Sequence, residues 1–202
     1  VTSAYNAFSE GEWSKITPTQ RGKYLRKLGE LLADKSEELG KIESIDTGKL
    51  LKETRWQAKY IAEYFHYYAG LADKIEGATL PIDKPDMYAF NIREPLGVVA
   101  AIVPWNSQLF LVAVKIGPAL AAGNTVVLKP SEQAPATSAL IANLIPKYFS
   151  ENVVQVVLGD GTVASNLIKE PFDHIFFTGG GSIGKKVMEA ASKNLIPVKQ
   201  EI

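Results

Sequence analysis

The sequence contains no cysteine. A disulfide framework and a thiolate metal site are therefore excluded, and no side chain here is a thiol nucleophile. Histidine is nearly as scarce. His66 and His174 are the only two, and they stand far apart in the chain. A metal site would have to rest on carboxylates, and no clustered carboxylate spacing is present. Neither sign of charge dominates, because Lys+Arg and Asp+Glu each number 22. That removes the electrostatic basis for binding nucleic acid or an anionic membrane, and neither is expected as a partner. No Asn-x-Ser/Thr sequon occurs. The longest apolar run, Leu109 to Gly123, is broken by Lys115 and Pro118. It falls short of the ~20 residues a membrane span needs. With no signal peptide evident either, a cytoplasmic location is the default expectation. The chain opens on Val1 and stops at Ile202 inside a strand-like run, which reads as a fragment at both ends.

What is present suits one or two ordinary soluble domains, with 46% apolar and 22% charged residues over 202 positions. Residues 1–78 read as a helical N-terminal segment. Thr17, Pro18 and Gln20 have the spacing of an N-cap, a first-turn proline and a capping-box partner. Leu25, Leu28, Leu32, Leu39 and Ile42 then recur at helical spacing, and Gly48 is a C-terminal stop. A second helix starts near Lys52. Its Trp56, Tyr60, Tyr64 and Tyr68 stand four apart, which reads as a face packed onto a core rather than as a ligand surface. Residues 79–95, punctuated by Pro81, Pro85 and Pro95, form a β-hairpin excursion.

Residues 96–202 change character. Short apolar runs at 97–103, 125–129, 153–158 and 174–178, with a fifth at 196–202, alternate with helical stretches near 108–122, 135–149, 162–169 and 182–193. Strand–helix alternation predicts an α/β fold. It would be a Rossmann-like parallel sheet with flanking helices, preceded by the helical N-terminal segment. Ligands of such sheets lie beyond the carboxyl ends of the strands. The residues to examine are therefore Pro104-Trp105-Asn106, Lys129-Pro130-Ser131-Glu132, Gly159-Asp160-Gly161, Thr178 through Gly181, and Glu201. Gly179 through Gly184 fits G-x-G-x-x-G, after a strand and before a helix, where free N–H groups face a pyrophosphate. A tight structural turn is the alternative. Glu201 lies near the distance at which an acid binds ribose in the general dinucleotide fold.

The set as a whole resembles the NAD(P)-dependent aldehyde dehydrogenase family. The resemblance is carried by Glu94-Pro95-Leu96-Gly97-Val98, Pro104-Trp105-Asn106, Gly117 through Asn124, Val127 through Glu132, and Phe177-Thr178-Gly179. It runs over essentially the whole chain. It implies an oxidoreductase that converts an aldehyde to a carboxylic acid with NAD, or alternatively NADP, through a Cys thiohemiacetal. Asn106 would be the side-chain donor of the oxyanion hole and Glu201 the general base. Lys129 and Glu132 would hold the adenosine ribose. Ile102, Val103, Pro104 and Trp105 would line the cofactor cleft, with Ser131, Gly161, Phe177 and Gly180 around it. Thr178 and Gly179 would approach the nicotinamide, Ile183 would pack near the adenine, and Gly184 would close the turn.

The bland alternatives stay open at this point. Asn106 reads also as a turn residue, Lys129 as a solvated strand-end charge, Glu132 as a helix N-cap acid and Glu201 as a surface residue. The chain also departs from the resemblance in places. Gly180 and Gly181 stand where the family commonly has a hydroxyl that meets the pyrophosphate. Ser107-Gln108 follows Asn106 where many members have an aromatic and Pro. The stretch from Ile145 to Leu158 is similar to the shorter, class 3-like members, whereas the first half is closer to the long-chain members. The nucleophile and catalytic domain would lie beyond Ile202, so the isolated 202-residue chain is expected to be inactive. The parent enzyme would take a small aldehyde and form a homo-oligomer. The other function classes are a different Rossmann-type oxidoreductase and a non-catalytic dinucleotide-binding fragment.

Overall fold

The structure is a computed structural model that describes residues 1–202. Five helices come first: α1 (Thr2–Ser9), α2 (Glu12–Lys15), α3 (Pro18–Asp34), α4 (Ser36–Thr47) and α5 (Leu51–Leu71). Strands β1 (Ala78–Leu80) and β2 (Ala89–Asn91) pair antiparallel as an exposed ribbon. The α/β region follows as β3 (Val98–Ile102), α6 (Gln108–Ala121), β4 (Thr125–Lys129), α7 (Pro135–Leu144), β5 (Val154–Val156), α8 (Gly161–Leu167), β6 (His174–Thr178), α9 (Gly181–Ser192) and β7 (Val198–Glu201). A short 3₁₀ turn, Pro146–Tyr148, separates α7 from β5.

The five strands form one parallel sheet in the order β5-β4-β3-β6-β7. Every residue of β3 and β4 is buried, as expected of central strands covered on both faces. Side-chain alternation divides β3 between two cores. Ala101 joins the larger one, with Leu25, Leu28, Phe65, Leu109 and Ile116 from α3, α5 and α6. Val98, Ala100 and Ile102 join the other, with Val187 and Ala191 of α9. The α1–α2 segment is tied to the sheet region as well. The buried Trp13 indole donates to the carbonyls of Gly123 and Asn124 at 3.2 and 3.1 Å, and Thr125 Oγ1 donates to Ala4 O at 3.1 Å.

The start of α3 follows the sequence pattern. Gln20 N–H donates to Thr17 Oγ1, Thr17 N–H donates to Gln20 Oε1, and Pro18 is the first helical residue. Gly48 ends α4 at φ +74°, the left-handed conformation that glycine adopts without penalty. Two expectations need correction. The stretch from Pro18 to Thr47 is two helices, interrupted at Lys35, a position with no Gly or Pro to mark it. Only the second half of the aromatic stripe of α5, Tyr64 and Tyr68, packs against the core. Thr54, Ala58, Ile61, Ala62, Phe65 and Ala69 are buried, whereas Trp56 is 62% and Tyr60 42% exposed. A four-residue repeat advances about 40° per step around a 3.6-residue helix. The stripe therefore winds from solvent at Trp56 toward the flank of α6, where Tyr64 packs on Phe110 at 6.0 Å. No helix is long and apolar enough to cross a membrane.

Candidate cofactor cleft and active site

Parallel strands in register bring their carboxyl ends to one edge. Ile102 pairs with both Lys129 and Phe177, and Thr178 pairs with Glu201. The loops after β3, β4 and β6 and the end of β7 therefore meet there. Two adjoining clefts open on that edge.

The first cleft has Ile102, Val103, Pro104 and Trp105 on its floor. Lys129, Ser131 and Glu132 form one wall, Gly161 of α8 the end, and Phe177, Thr178, Gly179, Gly180 and Ile183 the other wall. Lys129 is 2% exposed, so it is not a solvated strand-end charge. Its Nζ donates to Pro130 O at 2.7 Å and pairs with Glu132 Oε2 at 3.4 Å. Glu132 does not cap α7, whose N-terminus has no side-chain cap of its own. It is half exposed and lines the cleft. Gly184 lies outside the lining. Gln200 Nε2 donates to its carbonyl at 2.7 Å, and a Cβ there would meet Gln200 Oε1 at 2.8 Å, so it serves the docking of α9 on β7.

Gly161 and Gly180 bear on whether a bulky ligand fits. Neither has a positive φ, and a Cβ on either would touch no protein atom. Neither backbone conformation nor internal packing requires glycine at them, and both border the open cleft. At Gly180 the chain enters the 12-residue helix α9, whose first two N–H groups, of Gly181 and Ser182, have no intrahelical acceptors. This arrangement has the room and the donors for a dinucleotide, with a carboxylate and an ammonium on the opposite wall for ribose hydroxyls.

The second cleft is lined by Asn106, Thr178 and Glu201, with Trp105, Phe110 and Gln57 among its walls. Asn106 is exposed to it, and its side chain is used in no hydrogen bond to the rest of the chain. Glu201 is not a free surface acid. Its Oε2 accepts from Thr178 Oγ1 at 2.7 Å, and that hydroxyl accepts from Lys115 Nζ at 2.6 Å. Lys115 and Glu201 also form an ion pair at 3.6 Å. Burial pushes the Glu201 carboxyl up. The Thr178 hydroxyl and the Lys115 ammonium outweigh it and hold the group below the usual carboxylate range. Burial lowers Lys115 to about 8, against the opposing pull of Glu201. The Lys115 ammonium sits 3.4 Å from the centre of the Phe176 ring. An ionised carboxylate open to a cleft can accept a proton, though its lowered pKa makes it a weaker base than an ordinary carboxylate, and an unengaged amide can donate to a developing oxyanion.

Sequence reasoning placed Lys115 only as an interruption of an apolar run. A single cation in an otherwise apolar helix was the available signal, and it points at the site. Two other buried polar groups were missed. Glu43 of α4, 0% exposed, accepts from Leu109 N–H at 3.1 Å. Burial raises its pKa, opposed by that hydrogen bond and by Lys49. Gln108 is also 0% exposed and bridges two strand-end loops. Neither sits in a motif.

The chain matches the aldehyde dehydrogenase family over residues 1–202. It is 51% identical to a (Z)-2-((N-methylformamido)methylene)-5-hydroxybutyrolactone dehydrogenase of Acinetobacter baylyi, and 44% identical to a betaine aldehyde dehydrogenase of Bacillus subtilis. All of this chain aligns with 42% of each relative, so it spans less than half of their length. A crystal structure of the betaine aldehyde dehydrogenase of Staphylococcus aureus in complex with NAD+ superposes with a TM-score of 0.94 at 36% identity. That match covers 100% of this chain and 41% of the other. On the matched residues and on the fold, the chain belongs to the aldehyde dehydrogenase family.

Proposed function

We propose that these residues are the cofactor-binding part of an NAD-dependent aldehyde dehydrogenase and supply two groups of its active site, Asn106 and Glu201. The observation that carries the reading is the convergence of Asn106, Thr178 and Glu201 in one cleft, beside the cleft walled by Lys129 and Glu132. The solved relative that superposes on this chain is a complex with NAD+, which supports the choice of cofactor.

Lys129 and Glu132 bind the adenosine ribose hydroxyls, and the N-terminus of α9 takes the pyrophosphate through backbone N–H groups. Gly180 supplies no side-chain contact there. Ile183, 49% exposed, covers the adenine end, and Thr178 and Gly179 face the nicotinamide. NAD, when bound, supplies the two-electron oxidant. Asn106 donates its amide N–H to the oxyanion that forms as a thiolate adds to the aldehyde carbonyl, a contact typically worth ~3 kcal/mol. Glu201 takes a proton from the water that hydrolyses the thioester, and Lys115 and Thr178 keep it ionised and aimed. The general dinucleotide alternative, with Glu201 on ribose, is disfavoured. Glu201 is engaged by Thr178 and shares the cleft of Asn106, away from Glu132.

The thiolate comes from outside these residues, which contain no cysteine. The exposed Tyr88, Phe90 and Ile92 on and beside the β1–β2 ribbon support a homo-oligomeric parent in which that ribbon is covered. The test is aldehyde-dependent NADH formation. The full-length enzyme is expected to turn over, and the 202-residue chain alone is not. Turnover by the chain alone would overturn the assignment of the nucleophile, and none by the full-length enzyme with any aldehyde would overturn the reading.

A further inference from the structure

We propose that Gln108 is a positioning residue that locks the Asn106 turn to the Lys129–Glu132 turn. It would thereby hold the oxyanion donor and the ribose wall in one register. The inference rests on the function proposed above.

Gln108 opens α6, two residues after Asn106, and its side chain is 0% exposed. Its Oε1 accepts from Ser131 N–H at 2.7 Å. Its Nε2 donates to Ala134 O at 3.2 Å and to Ser138 Oγ at 3.0 Å. Both amide N–H groups and the carbonyl are thus engaged, all with the loop after β4 or the first turn of α7. Ser138, itself 4% exposed, lies 2.8 Å from Ser131 O and 2.9 Å from Ala134 O and closes the network. Apart from the strand ladder and its continuation, Val103 N–H to Lys129 O at 3.2 Å, Gln108 makes every hydrogen bond between these two strand-end segments.

Its neighbours are held from the other side. Lys49 Nζ donates to Ser107 Oγ at 2.8 Å, and Glu43 receives Leu109 N–H. Residues 107 and 109 are therefore fastened to the C-terminal end of α4 and residue 108 to the β4–α7 loop, and the exposed Asn106 lies immediately before that anchor. An apolar side chain at 108 would leave the part-buried Ser131 N–H without its partner, while the Ala134 carbonyl would keep only the Ser138 N–H and Oγ. The cheapest relief is a shift of the 130–134 loop against α6. Such a shift moves Glu132 relative to Asn106, so cofactor affinity and turnover should suffer together.

In the full-length enzyme, Gln108→Met keeps the volume and removes the three hydrogen bonds. It is expected to raise KM for NAD and lower kcat, each about tenfold, the scale set by stranding buried polar groups. KM for the aldehyde should stay near wild type. The discriminating readout is a double-mutant cycle with Asn106→Ala. If Gln108 acts through Asn106, the double variant loses no more kcat than Asn106→Ala alone. Multiplicative losses, or a lower Tm with kcat and KM unchanged, would overturn the proposal and leave Gln108 a structural residue. Should Gln108→Met not fold, Ser138→Ala removes one partner of the network and carries the same test. Its expected effect is a smaller rise in KM for NAD, non-additive with Glu132→Gln, and additivity would overturn the proposal. An Asn106→Ala enzyme with wild-type kcat would instead sink the function on which the inference rests, a separate outcome.

Discussion

Burial and partner, rather than residue type alone, decide what each side chain in the clefts does. Glu132 and Glu201 are both carboxylates at strand ends, but their surroundings give them separate tasks. Glu132 pairs with Lys129 on the cleft wall proposed to hold the ribose. A 2′-phosphate there would meet a carboxylate at close range, and like charges repel more strongly as they are desolvated. The full-length enzyme should therefore favour NAD over NADP, and Glu132→Gln should narrow that preference by about fivefold or more. Titration with both cofactors checks this, and tighter NADP binding unchanged by the substitution would contradict it. Lys115 yields a pH prediction. Its pKa in the folded chain, about 8, lies below its ordinary value. Between the two, the unfolded chain binds a proton that the folded chain has released, so Lys115's contribution to stability rises with pH through that window. It is lost as pH falls through about 8. The Tm difference between wild type and Lys115→Met should therefore shift in favour of wild type from pH 8 to pH 10. A pH-independent difference would argue against a buried, titrating lysine.

At the level of elements, strand ends were the legible part of the sequence. Apolar runs of strand length separated by helical periods placed β3, β4, β6 and β7 within a residue or two, and the polar residues that end them proved to share one edge. β5 is shorter than its apolar run because only Val154–Val156 pair with β4. Helix breaks without Gly or Pro, such as Lys35, leave no local mark. The direction of an aromatic stripe is equally silent, because a four-residue spacing fixes neighbours along a helix but not which side faces the core. Gln108 and Glu43 were illegible for another reason. Their partners lie 23 and 66 residues away in the chain, and only the fold brings them together. Gly97 shows a demand that the motif alone does not explain. It enters β3 at φ +131°, and a Cβ there would lie 2.1 Å from Asp173 Oδ2, the atom that accepts Val98 N–H. Gly97→Ala should cost on the order of 1–3 kcal/mol or more through strain and the displaced Asp173. Thermal unfolding checks it, and an unchanged Tm would mean that the β3 entrance can relax.

For the molecule as a whole, the sheet holds apart two jobs that meet only at its edge. The helical N-terminal region and α6 build the larger core under the Asn106 turn, while α9 packs on the other core and brings its N-terminus to the same edge. Lys115 crosses from α6 to β6 and β7 and joins the two sides at Thr178 and Glu201. The central claim is that this shared edge carries aldehyde oxidation, with Asn106 as the oxyanion donor. The most direct measurement is kcat of the full-length enzyme with a good aldehyde substrate, wild type against Asn106→Ala, at saturating NAD. A fall of about 10²–10³-fold with NAD binding retained is predicted. An Asn106→Ala enzyme that turns over at the wild-type rate would contradict the account.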